Sequence, residues 1–233
     1  MITSQPSWTN GYPEPALQIR GLLPFAALTS GFAFMSFAAH AIVLFDFARY
    51  KANLRAGINV HRWYEYSFSS SLMIVLIAML FGVTDAMSLT TMAGCNASMC
   101  LFGLLHERMN ANVVPAKVNW EPFWMGSFAG ALPWAVIFAY IGASPNVDKV
   151  PGFVWGVLIA YAFFFNTFPI NMYLQYKRWG YWSDEKAGGF PGAGYLFGER
   201  MYQVQSLVSK SLLLWLVIGG TNQPSPSTGR TVN

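Results

Sequence analysis

Six long apolar stretches constrain the fold of this chain more than any other feature. They occupy residues 21–47, 64–81, 86–105, 123–141, 154–174 and 201–218. A helix needs about 20 apolar residues to cross the hydrocarbon core of a bilayer, and polar backbone groups in lipid have to be paired within their own segment. The connections between the stretches are short and leave no room for a second soluble domain. The sequence therefore predicts an all-α fold, a polytopic bundle of six transmembrane helices.

Composition supports a membrane domain with polar ends. Of the 233 residues, 54% are hydrophobic and 10% are charged, which is too little polar surface for a soluble globule. The first twenty residues contain three prolines and no basic cluster before an apolar core, so they do not resemble a signal peptide. We expect a flexible N-terminal tail at 1–20, a transmembrane domain at 21–219 and a flexible C-terminal tail at 220–233.

The basic residues predict the orientation of the bundle. Most of them fall in three connections that lie on one side, whereas the opposite side has only Arg20, Lys149 and Arg230. The positive-inside bias places the three connections in the cytoplasm of a cell membrane and both termini outside. Because no soluble face collects these charges, the net charge of +4 does not indicate nucleic-acid binding. The cytoplasmic set is Arg49, Lys51, Arg55, Arg62, Arg108, Lys117, Lys177, Arg178, Lys186 and Arg200.

A lysine, Lys210, lies in the middle of the last apolar stretch. An ionisable group at bilayer depth costs several kcal/mol and is a functional hypothesis by default. A desolvated lysine amine can condense with a carbonyl compound to form a Schiff base, whose positive charge a carboxylate would stabilise. Glu65, the only acidic residue of the stretch 64–81, is the candidate. Its position three residues after Arg62 leaves a second reading open, a pair with that arginine near the interface.

Several motifs, in the same order along the chain, resemble heliorhodopsins, which are retinal-binding membrane proteins distantly similar to microbial rhodopsins. The motifs are RWYEYSFSSS at 62–71, KVNW at 117–120, NMYLQYK at 171–177, and GER at 198–200 leading into SLVSK at 206–210. The resemblance covers residues 40–215. Members of that family have seven transmembrane helices, and the six here correspond to the second through the seventh. The resemblance thus implies a rhodopsin-like bundle, with the first helix lost by truncation or absent from a six-helix variant.

The resemblance also implies a site. Lys210 would hold all-trans retinal as a protonated Schiff base, Glu65 would be its counterion, and Ser206 and Ser69, each one turn away, would lie beside the linkage. His40 resembles a residue of a cytoplasmic-side network that could hold a released proton, although a lone histidine is equally a satisfied core residue. On spacing alone the aromatic positions would be lipid or helix contacts. The other implied pocket residues are Tyr66, Met73, Asn96, Met99, Gly103, Trp134, Phe138 and Phe165.

The pattern of carboxylates favours a light sensor or regulator over a pump. Outward-pumping microbial rhodopsins often carry a second carboxylate about three turns after the counterion, and here that position is Leu76, while Ser69 lies one turn after Glu65. The alternatives are a light-gated or retinal-independent ion channel or transporter, in which the buried charges line a path, and a structural membrane subunit. We expect a homodimer in a lipid bilayer that signals to a downstream protein. No hydrolytic triad, metal cluster or nucleotide motif is present, so an enzyme is not expected.

Two further features carry little function. Cys95 and Cys100 are five residues apart on one predicted helix, roughly 7 to 9 Å between Cα atoms, which is too far for a disulfide, so we expect small packing residues. The glycine-rich segment 188–194 has no strand before it and no Gly-Lys-Ser or Gly-Lys-Thr after it, which excludes a phosphate loop. We expect a flexible cytoplasmic loop there.

Overall fold

The computed structural model describes residues 2–9, 12–19, 25–145 and 147–221. The predicted C-terminal tail, apart from 220 and 221, lies outside these residues. The all-α prediction for the membrane domain is confirmed. In the described part the helices are α1 Phe25–Phe45, α2 Phe47–Arg55, α3 Val60–Leu80, α4 Ala86–Asn110, α5 Glu121–Ala143, α6 Gly152–Lys177, α7 Asp184–Ala187 and α8 Ala193–Thr221.

Five of the described helices are long and apolar enough to cross a membrane. These candidate spans are Ala27–Phe45, Val60–Leu80, Ala86–Asn110, Glu121–Ala143 and Gly152–Lys177. They correspond to the first five predicted stretches. The sixth stretch lies inside α8, which is long enough but is not among the five. Residues 201–218 of α8 include Gln203, Gln205, Ser206, Ser209 and Lys210, and these side chains lower its apolar character.

A β-hairpin occupies most of the segment that the sequence predicted as a flexible tail. Strands β1 Ile2–Thr9 and β2 Tyr12–Ile19 pair antiparallel, with Pro6 opposite Pro15 and Trp8 opposite Pro13. All three prolines therefore fall in alternate pairs of the ladder. Because paired positions alternate between hydrogen-bonded and non-hydrogen-bonded, the prolines can all take positions where a missing N–H costs no ladder bond. A tail prediction based on proline content alone misses this register.

The described helices form two compact units, each with its own core. In the first, α1 packs along α3, and α4 approaches both α3 and α5 closely. A Cβ atom added at Gly103 of α4 would overlap the Trp63 ring of α3, and one added at Gly126 of α5 would lie 3.3 Å from the Met99 carbonyl oxygen. Small residues of this kind let transmembrane helices approach backbone to backbone.

Polar side chains cross-link α3 and α4 in the middle of their length. The amide of Asn96 on α4 donates to the hydroxyl oxygens of Ser70, at 2.6 Å, and Ser71, at 3.2 Å. Each of these hydroxyls also donates to a backbone carbonyl one turn back on α3, Ser70 to Tyr66 and Ser71 to Ser67. Since an unpaired amide is costly in an apolar bundle, this cluster fixes the axial register of the two helices.

The second unit is built on the pair α6 and α8. Two amides of α6 donate to backbone carbonyls of α8: Asn171 to Gly198 at 3.0 Å, and Gln175 to Tyr195 at 3.0 Å. Gly198 allows this approach, because a Cβ there would lie 2.7 Å from the Gln175 amide nitrogen. Asn171, Gln175 and Gly198, which join these helices, thus belong to the motifs at 171–177 and 198–200.

The connection between α6 and α8 is more ordered than the sequence predicted. The Trp182 indole donates to the Asn171 side-chain oxygen at 2.7 Å, and its ring packs edge-on against Phe197. The Gly194 N–H donates to the Asp184 carboxylate at 2.9 Å. The glycine-rich segment expected to be a flexible loop is therefore tied at its end to α7, because backbone groups that leave the helices need partners.

The contact of Gly103 with Trp63 predicts a strong sensitivity to added volume. Gly103→Ala forces the ring or the helix to move, and we expect it to lower the free energy of unfolding by about 1–3 kcal/mol. Gly94→Ala on the same helix is the matched control, since nothing lies within 4 Å of its added Cβ. That variant should be neutral or slightly stabilising. Thermal unfolding in detergent checks both, and equal midpoints for the two variants would contradict the packing described here.

Candidate functional site

The start of α3 is fixed by a polar cap. The Asn59 side chain accepts a hydrogen bond from the Arg62 N–H at 3.1 Å, as an N-cap residue does. The backbone N–H of Asn59 donates to the Glu107 carboxylate of α4 at 2.8 Å. A carboxylate at a helix N-terminus is also favoured by the helix dipole. The first turn of α3 is therefore anchored to α4 by an acidic residue.

A buried ion pair completes this anchor. The Arg62 guanidinium binds the other oxygen of the Glu107 carboxylate, and both side chains are buried, Glu107 completely. The guanidinium also lies over the Trp63 ring, 4.6 Å from its centroid. A buried ion pair is retained where its remaining bonds are satisfied, and Asn59 and Trp63 contribute here. The contact with Glu107 is sufficient to explain a buried arginine at position 62, without a pair between Arg62 and Glu65.

Glu65 lies one turn further along α3, at the edge of its buried face. The residue is half-buried, the next residue Tyr66 is buried, and the Tyr66 ring packs edge-on against Trp63 at 6.4 Å. Ser69, one turn on, is almost completely buried. Its hydroxyl has no hydrogen-bond partner among the described residues, unlike those of Ser67, Ser70 and Ser71. The α3 side of the predicted site therefore has the Glu65 carboxylate and, one turn away, the Ser69 hydroxyl, which has no hydrogen-bond partner among the described residues.

The remaining predicted residues of the first unit differ in surroundings. Met73 is buried and Met99 half-buried, while Asn96 and Gly103 are engaged by α3 as described above. On α5, Trp134 is buried and lies 6.1 Å from the Phe138 ring, which is exposed. These contacts bring Asn96 and Gly103 to α3, and they bring Trp134 to Phe138. Their role in holding a cofactor stays a prediction.

His40 lies on the exposed side of α1. Its Nδ1 atom is 2.7 Å from the Ser36 carbonyl oxygen one turn back. Because a carbonyl only accepts, Nδ1 donates in this bond. The bond therefore ties the His40 ring to its own helix. Its place in a proton network stays a prediction.

In the second unit, Lys210 is 9% exposed on α8. Ser209 beside it is buried and donates to the Ser206 carbonyl at 3.2 Å, while the predicted pocket residues Ser206 and Phe165 are both half-buried. Lys210 therefore sits at depth within its unit, as the sequence predicted.

The unit that contains Lys210 also has an apolar crevice. It lies between α6 and α8 and is lined mostly by apolar side chains, among them Tyr161, Phe164 and Leu213, together with Ser209, the residue before Lys210. A lysine amine that is removed from water can form a covalent link with a carbonyl group. The burial of Lys210 is the part of this arrangement that the described residues supply.

Sequence reasoning missed the most deeply buried charged residue of the first unit. Glu107 follows the predicted stretch 86–105 and is flanked by His106, which is also fully buried and lies 5.5 Å from the Trp120 ring. The sequence does contain a signal for this contact. Arg62 lies at the start of one apolar stretch and Glu107 at the end of the next, so an antiparallel pair of helices brings both to the same side. Asn171, Gln175 and Trp182 were likewise missed as individual contacts, because interhelical amide bonds leave no periodic pattern.

Comparison with known proteins decides the family. The family model Heliorhodopsin matches residues 3–222. The chain belongs to the heliorhodopsin family. No curated protein matches it. The match begins at residue 3 and so includes the β-hairpin as well as the helices.

Family membership confirms the sequence-based identification and the membrane fold. Heliorhodopsins are retinal proteins of the photoreceptor type, and the family is not known for enzymatic activity. Together with the five apolar helices, the match makes this chain an integral membrane protein whose surroundings are a lipid bilayer.

The buried pair of Arg62 and Glu107 predicts a large loss of stability when one partner is removed. Glu107→Gln removes the negative charge from the buried pair, and we expect the free energy of unfolding to fall by about 3–5 kcal/mol. Glu185→Gln is the control, because Glu185 is exposed and a surface change of this kind stays within about 0.5 kcal/mol. Thermal unfolding of both variants in detergent is the measurement. A Glu107→Gln variant as stable as the control would show that the pair does not hold α3 to α4.

Proposed function

We propose that this heliorhodopsin is a light sensor that binds all-trans retinal through Lys210, with Glu65 as the counterion of the charged linkage. The observation that carries the proposal is the burial of Lys210 on α8 in a chain of this family. A lysine at such depth needs a function or a compensating charge. When bound, retinal supplies the light-absorbing polyene and the carbonyl group for the link.

In this proposal, each residue of the site has its own role in holding retinal or in offsetting its charge. Lys210 holds the chromophore by a covalent bond, and the aromatic and aliphatic side chains keep water away from it. The Glu65 carboxylate offsets the positive charge at the linkage, in a region where a low dielectric makes the pair sensitive to geometry. Ser69 and Ser206 offer hydroxyl groups near the two charged positions. Tyr66, Met73, Asn96, Met99, Gly103, Trp134, Phe138 and Phe165 belong to the proposed pocket, and His40 to the proposed proton network.

The proposed sensor does not pump protons. After Glu65, the positions on α3 where a relay would continue are Ser69 and Leu76, and both are buried and not acidic. A relay needs groups that titrate along the path, and a hydroxyl and an aliphatic side chain do not. The proposal also includes cytoplasmic placement of the basic connections, a homodimer and a downstream protein partner. The exposed Arg49, Lys51 and Arg108 support the placement.

Substitution of Lys210 tests the covalent link. We expect the protein expressed with all-trans retinal to show a visible absorption band, and Lys210→Ala to abolish it because no other amine can take its place in the pocket. Lys177→Ala is the matched control, since Lys177 is exposed at the end of α6 and should leave the band unchanged. Glu65→Gln should keep the pigment but move absorption toward the near ultraviolet, because a linkage whose positive charge is no longer offset would release its proton to solvent more readily. Loss of the band in the control, or its survival in Lys210→Ala, would overturn the assignment.

Light-driven pH changes test the second half of the proposal. A suspension of cells that make the pigmented protein should show no sustained pH change in light that a protonophore abolishes. A proton-pumping rhodopsin expressed in the same cells is the positive control. A sustained, protonophore-sensitive change would show pumping, and a current that persists without retinal would favour the channel or transporter alternative.

A further inference from the structure

The connection between α6 and α8 exposes three large aromatic side chains. Trp179 is 71% exposed, Tyr181 63% and Phe190 51%. Trp182 in the same connection differs, since it packs on Phe197 and donates its N–H to Asn171. Exposed aromatic surface concentrated in one short connection marks an interaction surface.

The backbone presents these rings by defined turns. Arg178 ends α6 in the left-handed conformation, with φ of 51°, and the Trp179 N–H donates back to the Leu174 carbonyl at 3.2 Å. This is the hydrogen-bond pattern of a helix C-cap that turns the chain away from the axis. Phe190 stands between Gly189 and Gly192, whose φ angles of 74° and 85° only glycine adopts readily. The exposed positions therefore result from ordered structure.

The surface follows directly on the end of α6. Trp179 is the second residue after the candidate span Gly152–Lys177, so a membrane crossed by this helix would bring the ring close to the headgroup region. Tryptophan and tyrosine favour that boundary, because their rings are apolar and their N–H and O–H groups stay wet. Lys177, Arg178 and Lys186 are exposed in or next to this connection, and they outnumber its one exposed carboxylate, Glu185, while the Asp184 carboxylate is bound by the Gly194 N–H. Exposed cations at this depth attract lipid phosphates.

We propose that residues 178–192 form a lipid-seated surface, in which Trp179, Tyr181 and Phe190 enter the interface of the adjoining leaflet and the flanking cations contact the phosphates of anionic lipids. The occupant of this surface is the bilayer to which the protein belongs. Because α6 and α8 are joined by Asn171 and Gln175, the seat holds the ends of both helices at one depth.

The test is fluorescence quenching of Trp179 in vesicles of phosphatidylcholine and phosphatidylglycerol. The Trp179 contribution is the difference between the unsubstituted protein and Trp179→Phe, both without retinal. We expect lipids brominated near the headgroup to quench this contribution roughly twofold more than lipids brominated near the chain ends, as for an interfacial ring. Aqueous iodide should quench it less than it quenches free N-acetyltryptophanamide.

Two controls keep the result decisive. The difference in fluorescence between the unsubstituted protein and Trp134→Phe reports a buried ring. It should respond little to iodide or to bromines near the headgroup. Phe190→Trp adds a reporter at the other end of the connection and should show the same shallow quenching, which tests the surface even if Trp179→Phe fails to fold. Iodide quenching as strong as for the free indole, with no effect of bromolipids at either position, would overturn the lipid seat. The surface would then face water, where a soluble protein partner could reach it.

Discussion

Hydrogen bonds and ion pairs between polar groups of different helices position the helices of this protein. Apolar contacts between transmembrane helices discriminate weakly, because lipid chains are as apolar as leucine. Polar pairs discriminate strongly, because a misplaced helix leaves them unpaired. In the first unit the pairs are Arg62 with Glu107 and Asn96 with Ser70 and Ser71. In the second unit Asn171 and Gln175 have the same role.

The rotation of α3 about its own axis follows from these pairs. Arg62, Tyr66, Ser69 and Met73 lie on one buried face, at spacings of three or four residues, while Phe68 is exposed. Because Arg62 is held by Glu107 at one end of the helix and Ser70 and Ser71 by Asn96 further along, the helix cannot turn without breaking both contacts. Glu65 is therefore kept at the edge of the buried face by residues other than itself.

The sequence predicted the helices well and their contacts poorly. Spans such as 123–141 and 154–174 lie within α5 and α6, because a run of apolar residues of bilayer length allows little besides a helix. Glu107 and Asn171 were not predicted as contacts, since each acts through one partner distant in the sequence. The β-hairpin was missed for the opposite reason: its prolines argue against strands unless the pairing register is known. Lys210 and Glu65 followed from charge at membrane depth, whereas the other site residues came from the family resemblance, because spacing alone does not separate a pocket aromatic from a lipid contact.

The contact that anchors α3 to α4 and the proposed counterion site occupy different parts of α3. At the start of the helix the Glu107 carboxylate binds both the Arg62 guanidinium and the Asn59 N–H, so that its charge is compensated. One turn beyond Glu65, the buried Ser69 hydroxyl has no partner among the described residues. A buried hydroxyl without a hydrogen-bond partner lowers the free energy of unfolding by about 1–3 kcal/mol. Among the four serines Ser67, Ser69, Ser70 and Ser71 of α3, Ser69 is the one whose hydroxyl has no partner in the described part of the chain, and it lies one turn from the proposed counterion.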